Sequence, residues 1–297
     1  VFGLSGIYLA QVSPTVETID RLARTPMSQI LIFAGICTLV RLAVSPTLAK
    51  TPPHRRGGSY KFLKFLNESG DALVYAAILV FLLVRPFAIQ TFTIPTPSMV
   101  DTLNVGDAIV ANKWVYRTAD PKVGEIVVFS PPAAGVDERT PNADYIKRCV
   151  GVPGEVIEIR DSKLYRNGVA VDEPYEMRTT QMATQPVPKA NYGDYPLPDY
   201  KLVNDNGKYI PLTIMGDFAN ASPLTAPTYQ ISDPAEMKRL MALPAAAIPP
   251  GYYMMMGDNR NGSYDSRAWG LVPREKIVGR CEIIWLPFSR AGRPKND

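Results

Sequence analysis

Two apolar stretches, Met27 to Val44 (MSQILIFAGICTLVRLAV) and Ala72 to Ile89 (ALVYAAILVFLLVRPFAI), constrain this chain more than any other feature of it. Each has 18 residues, close to the ~20 that cross a bilayer as a helix. Each carries one arginine toward its C-terminal end, Arg41 and Arg85, where a long side chain snorkels to the interface. Both are expected to be membrane spans, in an anchor region covering residues 1–90. The connecting residues 45–71 hold Lys50, Arg55, Arg56, Lys61 and Lys64 against Glu68 and Asp71, whereas the segment before the first span has Arg21 and Arg24. The positive-inside tendency makes 45–71 a cytoplasmic loop and places everything after Ile89 on the outer face. Residues 1–12 (VFGLSGIYLAQV) are apolar as well and fit either the end of another span or a leader.

That topology limits the chemistry. The one histidine, His54, falls on the cytoplasmic side and cannot serve an outer active site, so Ser-His-Asp and Cys-His catalysis are out of reach. No cluster of metal-ligand spacing and no nucleotide-binding loop is evident, and no metal or organic cofactor is implied. With 32 basic and 28 acidic residues the charge bias is too small to make nucleic acid a partner without a clustered basic face. Of the three cysteines, Cys37 lies in the first span while Cys149 and Cys281 lie in strand-like runs on the oxidising side. Whether those two pair depends on whether their strands are neighbours, which sequence leaves open.

After Thr91 short β-branched and aromatic runs alternate with Gly, Pro and Asp: 108–115, 125–129, 145–152, 155–159, 252–256 and 276–286. Asn167-Gly168 between two such runs signals a type I′ hairpin. A mainly β outer domain of antiparallel sheets is expected, in two parts, 91–172 and 251–297. Between them residues 173–250 hold 12 of the 28 prolines and show no sustained alternation, so they are expected to form an inserted, irregular α+β subdomain. Its clear local signal is Asp233-Pro234-Ala235-Glu236, a capping Asp with Pro at the first helical position, opening a helix to about Met241.

Three constellations carry chemistry. Thr93-Ile94-Pro95-Thr96-Pro97-Ser98-Met99 presents Ser98 on a segment stiffened by alternate prolines. Tyr145-Ile146-Lys147-Arg148 places a lysine in an apolar strand pattern, where desolvation lowers an amine pKa from ~10.4 toward neutrality. Such a lysine can act as a general base for a serine without any histidine. Gly257 to Arg267 (GDNRNGSYDSR) is a dense polar loop between two strands, with acids and arginines able to hold it rigid.

These motifs, with Gly106 to Val110 between the first two, stand in the order of the bacterial type I signal peptidases, and the chain resembles that family from its second apolar stretch through its C-terminal strands. The resemblance implies a membrane-bound serine endopeptidase with a Ser-Lys dyad, residing in the bacterial inner membrane with its catalytic domain on the periplasmic face. Its partners would be exported preproteins, cut after A-x-A-type sites, and the lipid bilayer. It implies Ser98 as nucleophile, Lys147 as general base, Ser263 as the residue that orients Lys147, and the Ser98 N–H with the Thr96 hydroxyl as oxyanion hole. Asp258, Arg260, Asp265 and Arg267 would support the loop, with Asp265 and Arg267 paired, and Met99 and Ile94 would wall the pocket for small side chains. Pro97 stands where the family often has glycine, and Asn261-Gly262 where it usually has Asp-Asn. Two alternatives share the pattern: a Ser-Lys maturation protease of one secretion system, and a catalytically silent, membrane-tethered module that binds peptides in the same groove.

Overall fold

The computed structural model describes residues 27–79, 89–136, 138, 143–178 and 196–294. The expectations for residues 1–12, and for the second apolar stretch from residue 80 to 88, lie outside the described residues. The chain divides into two compact units, one ending at Thr91 and one beginning at Phe92.

The first unit contains α1, Met27–Lys50, and α2, Gly58–Ala77. From Ser28 to Lys50, α1 is long and apolar enough to cross a membrane. The expected loop 45–71 is mostly helical: α1 runs on through Pro46 to Lys50, and seven residues lead into α2. The physical reason is an amphipathic pattern hidden among the charges. Leu63, Asn67, Gly70, Val74 and Ala77 are half-buried at helical spacing, and Gly70 lies close enough to α1 that a Cβ would touch the carbonyl of Cys37. Arg41, expected to reach the interface, instead meets Asp71 of α2 at 2.5 Å.

The second unit is built on two seven-stranded sheets. With β1 at Ile89–Thr93, β2 at Ala108–Asn112, β3 at Ile126–Phe129, β4 at Tyr145–Gly151, β12 at Tyr252–Met256, β13 at Val272–Pro273 and β14 at Ile277–Leu286, the first sheet runs β1-β2-β14-β3-β4-β12-β13. The second runs β11-β10-β9-β8-β5-β6-β7, with β5 at Ile157–Arg160, β6 at Lys163–Arg166, β7 at Val169–Ala170, β8 at Asp199–Asp205, β9 at Lys208–Met215, β10 at Phe218–Ala221 and β11 at Tyr229–Ile231. The apolar run of β3 is buried throughout because it feeds both faces of its sheet: Ile126 and Val128 pack with Ile94, Met99 and Ile109, and Val127 and Phe129 with Met255 and Trp269. β12 joins the sheets, sending Met254 and Met256 into a core with Ile157, Ile159 and Tyr200 of the second sheet.

Asn167 and Gly168 both have positive φ, 51° and 79°, as the type I′ turn between β6 and β7 requires. Helix α3, Pro234–Ala242, starts where expected, with the Asp233 side chain accepting from Ala235 N–H. The expected boundary near residue 172, however, cuts through one sheet, since β5 to β7 and β8 to β11 hydrogen-bond side by side. The segment also holds a regular hairpin whose turn, Asn206-Gly207, has the same positive φ pair, 52° and 88°. Pro211 sits inside β9 and obscures the alternation. Cys149 and Cys281 are free thiols. They lie on β4 and β14 with β3 between, two strand spacings of ~4.8 Å apart, and they belong to cores on opposite faces, so they do not pair.

Candidate active site

Ser98 sits in one 3-10 turn, Pro97–Met99, entered from an extended Thr96 with φ −129° and ψ 153°. Proline at the first position supplies the φ of the turn and gives up an N–H that would have had no acceptor. The N–H of Ser98, in the same first turn, has no intrahelical acceptor either. The Thr96 Oγ1 lies 3.4 Å from Ser98 Oγ. Ile94 and Met99, expected as pocket walls, are 2% and 0% exposed; they are packed into the sheet core with Leu103, Ile109 and Ile284 and present no open surface.

Lys147 stands on β4 opposite Val127 of β3. Its Nζ lies 2.6 Å from Ser98 Oγ and donates to the Ile146 carbonyl at 3.1 Å. Burial lowers its pKa to about 8, although Asp265 and Asp258 pull the other way. A desolvated amine in contact with a serine hydroxyl can accept its proton near neutral pH.

The polar loop holds the serine turn from behind. Asn259 N–H donates to the Ser98 carbonyl at 3.1 Å, and its Nδ2 donates to the Pro97 carbonyl at 3.2 Å. Asp258 N–H points at Met99 Sδ. Asp265 and Arg267 form a bidentate pair at 2.8 and 2.7 Å, and Gly257 N–H also donates to Asp265. Burial alone would raise the Asp265 carboxyl, but the Arg267 guanidinium holds it below the usual range.

Asp258 and Arg260 find their partners outside the loop. Arg148, beside the lysine, donates two hydrogen bonds to Asp258 at 2.8 and 2.7 Å, with both side chains fully buried. Thr102 adds a third at 2.6 Å. Arg260 pairs with Glu173 at 2.6 and 2.9 Å. The sequence reasoning singled out none of Arg148, Thr102 and Glu173. A second cation next to Lys147 in an apolar strand was the available signal, since a buried arginine needs a carboxylate.

Ser263 is in the loop beside the site, but Lys147 makes its hydrogen bonds to Ser98 and Ile146. The Ser263 Oγ is buried without a hydrogen bond among the described residues, and it lies near enough to Asp265 to favour that ionised carboxylate. Gly257, also missed, is what lets these pieces meet: a Cβ there would stand 2.3 Å from Ser263 Oγ and 2.4 Å from the Ser98 carbonyl oxygen.

Comparison with known proteins places this geometry in context. The family model described as "Signal peptidase, peptidase S26" matches residues 66–286. A probable signal peptidase I-2 of Synechocystis is 30% identical over 230 residues, 77% of this chain and 78% of that protein. A signal peptidase I of Pseudomonas fluorescens is 31% identical, covering 75% of this chain and 73% of the relative. A signal peptidase IB of Staphylococcus aureus is 30% identical, covering 73% and 87%.

Proposed function

Since the chain belongs to the signal peptidase family, peptidase S26, we propose that Ser98 and Lys147 are its catalytic dyad. The protein is a serine endopeptidase of the signal peptidase I type, removing signal peptides from preproteins. The observation that carries the dyad is the 2.6 Å contact between Lys147 Nζ and Ser98 Oγ in a buried setting.

In the first step the neutral Lys147 amine takes the Ser98 proton as Oγ attacks the scissile carbonyl. The oxyanion that forms is met by the Ser98 N–H and the Thr96 hydroxyl, both fixed before reaction. The Lys147 ammonium then protonates the leaving amine, which frees the mature protein, and the signal peptide remains as an ester on Ser98. Lys147, neutral again, deprotonates a water that attacks the ester. Ser263, buried and unsatisfied in the same loop, is assigned the part of steadying the amine once Ser98 Oγ is acylated. The four charged residues Asp258, Arg260, Asp265 and Arg267 hold the loop through their pairs. The substrate segment, extended and with small residues of A-x-A type, adds alongside β4. In support, the β12–β4 ladder stops at the Met256↔Arg148 pair, one residue short of Lys147. With Ile94 and Met99 in the core, the apolar surface for the small side chains falls to half-buried Phe92 and Ile146, which pack on the same cluster.

For the anchor we propose that α1 and the apolar stretch 72–89 span the inner membrane, with the basic connection in the cytoplasm and the catalytic unit on the periplasmic face. The excess of Lys and Arg between the spans supports this orientation, and it makes the bilayer a standing partner. Protease added to spheroplasts would digest the region after Ile89; its protection would overturn the orientation.

The test of the dyad is cleavage of a preprotein with an A-x-A leader in detergent micelles by wild type and Lys147→Met. Loss of roughly 10⁴-fold or more in kcat with the fold retained is expected for removal of a dyad member. Equal activity in the two would sink the assignment.

A further inference from the structure

Glu173, Pro174 and Tyr175 open the segment that leads from β7 toward β8, outside the serine, lysine and polar-loop motifs. We propose that residues 173–177 are a strap that positions the active-site loop, with Glu173 as its lock. The proposal rests on the Ser98–Lys147 assignment and adds to it residues that touch neither substrate nor reacting atoms.

Three sets of contacts tie the strap to the loop. Met177 brackets Asn259: its N–H donates to the Asp258 carbonyl at 2.8 Å, and its carbonyl accepts from Arg260 N–H at 2.9 Å. Glu173 takes the bidentate bond from Arg260, both side chains 1% exposed, and Tyr175 OH donates to the same carboxylate at 2.9 Å. The Tyr175 ring lies 3.8 Å from the guanidinium carbon of Arg148, so it covers the face of the group whose edge donates to Asp258. The loop residue enclosed by the strap, Asn259, is the one that grips the carbonyls of Pro97 and Ser98. The strap, the loop and the serine turn thus form three successive layers, each hydrogen-bonded to the next.

Burial of the Glu173–Arg260 pair gives the lock its strength. An ion pair withdrawn from water contributes little to stability relative to apolar packing, but breaking one side of it leaves an unpaired charge that pulls the segment toward solvent. The loop then loosens around Asn259 and water reaches Lys147. The charged groups that act on Lys147, namely Asp258, Asp265 and Arg267, all come from that loop, so its withdrawal removes the dry setting and the fixed charges together.

The full chain in detergent micelles provides the test, with Glu173→Gln as the main variant because it keeps the shape and removes the charge. A fall in kcat of about 10- to 100-fold is expected, the size that an ångström of misplacement produces, with KM within about threefold. The acid limb of the kcat/KM profile should move to higher pH by about half a unit, because rehydration favours the ammonium. If Glu173→Gln does not fold, Tyr175→Phe, which loses only the hydroxyl bond to Glu173, is judged by the same three readouts at a smaller amplitude. A lower thermal midpoint with kcat, KM and the acid limb all unchanged would reduce the strap to a structural clip and overturn the proposal. Ser98→Ala is run alongside. If it is inactive while Glu173→Gln behaves as wild type, the strap alone fails; if Ser98→Ala still cleaves, the dyad assignment fails first.

Discussion

The α-carbon of Gly257 faces the carbonyl of Ser98 so closely that a methyl group there would come within 2.4 Å of the oxygen. Neither neighbour can yield cheaply, because one is backbone of the nucleophile turn and the other, Ser263, sits in the loop itself. Gly257→Ala should therefore displace Ser98 from Lys147 and lower kcat by about 100-fold, while overpacking costs about 1–3 kcal/mol of stability. Steady-state kinetics and urea unfolding of the variant check both; an active, equally stable Gly257→Ala would mean that the turn and loop are looser than described.

With Lys147 as the proposed base, its pKa of about 8 sets the pH dependence. Catalysis needs the neutral amine, so kcat/KM should fall about tenfold per pH unit below 8 and level off above it. In stability the sign is opposite to that of a favourable ion pair. The folded amine binds its proton more weakly than the unfolded one, whose pKa is near 10.5, so stability rises with pH between 8 and 10.5. Below 8 the buried lysine is a full cost, on the order of 3–4 kcal/mol from the size of the shift. Lys147→Met should raise the thermal midpoint at pH 7 and lose that advantage by pH 10.5, as scanning calorimetry would reveal.

Thr96→Val removes the side-chain donor 3.4 Å from Ser98 Oγ and nearly preserves its volume. Loss of one oxyanion donor typically costs about 10²–10³ in kcat, so the variant should show that fall with KM little changed, and Thr96→Ser should recover most of it. Unchanged kcat in Thr96→Val would remove this hydroxyl from the oxyanion hole.

Burial would raise the carboxyls of both Glu173 and Asp265, yet Arg260 and Arg267 hold both below their ordinary values. The unfolded chain therefore takes up these protons first. Stability from the two groups is present above pH ~4.5 and drains away as pH falls through their folded values. Urea midpoints should be level from pH 7 to pH 5 and drop steeply below pH 4; a midpoint already falling at pH 6 would contradict the assignment to these two groups.

Cys149 and Cys281 are buried, and burial pushes both thiols up to about 12. Neither should react with iodoacetamide in the native protein, and both should be alkylated in urea without reductant. Recovery of a disulfide-linked peptide from the native enzyme would contradict the strand order.

Features written locally in the chain were legible: the strand runs, the Asn167-Gly168 turn, the Asp233 cap, and the three motifs that structure brings within hydrogen-bond reach of Ser98. Features created by long-range pairing were not. Asp258 and Arg260 lie two residues apart and look like each other's partner, yet each is claimed by a charge from another element, Arg148 and Glu173. The helical nature of 58–71 was masked because its half-buried stripe includes polar Asn67 and Gly70 while Phe62 and Phe65 are exposed. The β8–β9 hairpin was hidden by proline content, although its Asn206-Gly207 turn carried the same signal as the one that was recognised.

The serine turn and the loop that grips it are 162 positions apart in the Pro97–Asn259 contact, and everything in β2 to β12 is made between them. During synthesis Ser98 and then Lys147 emerge long before Gly257 to Arg267 exist. A growing chain thus carries both reactive groups without the scaffold that aligns them. The hydrogen bonds that fix the serine turn against the polar loop are therefore completed only when the last strands close.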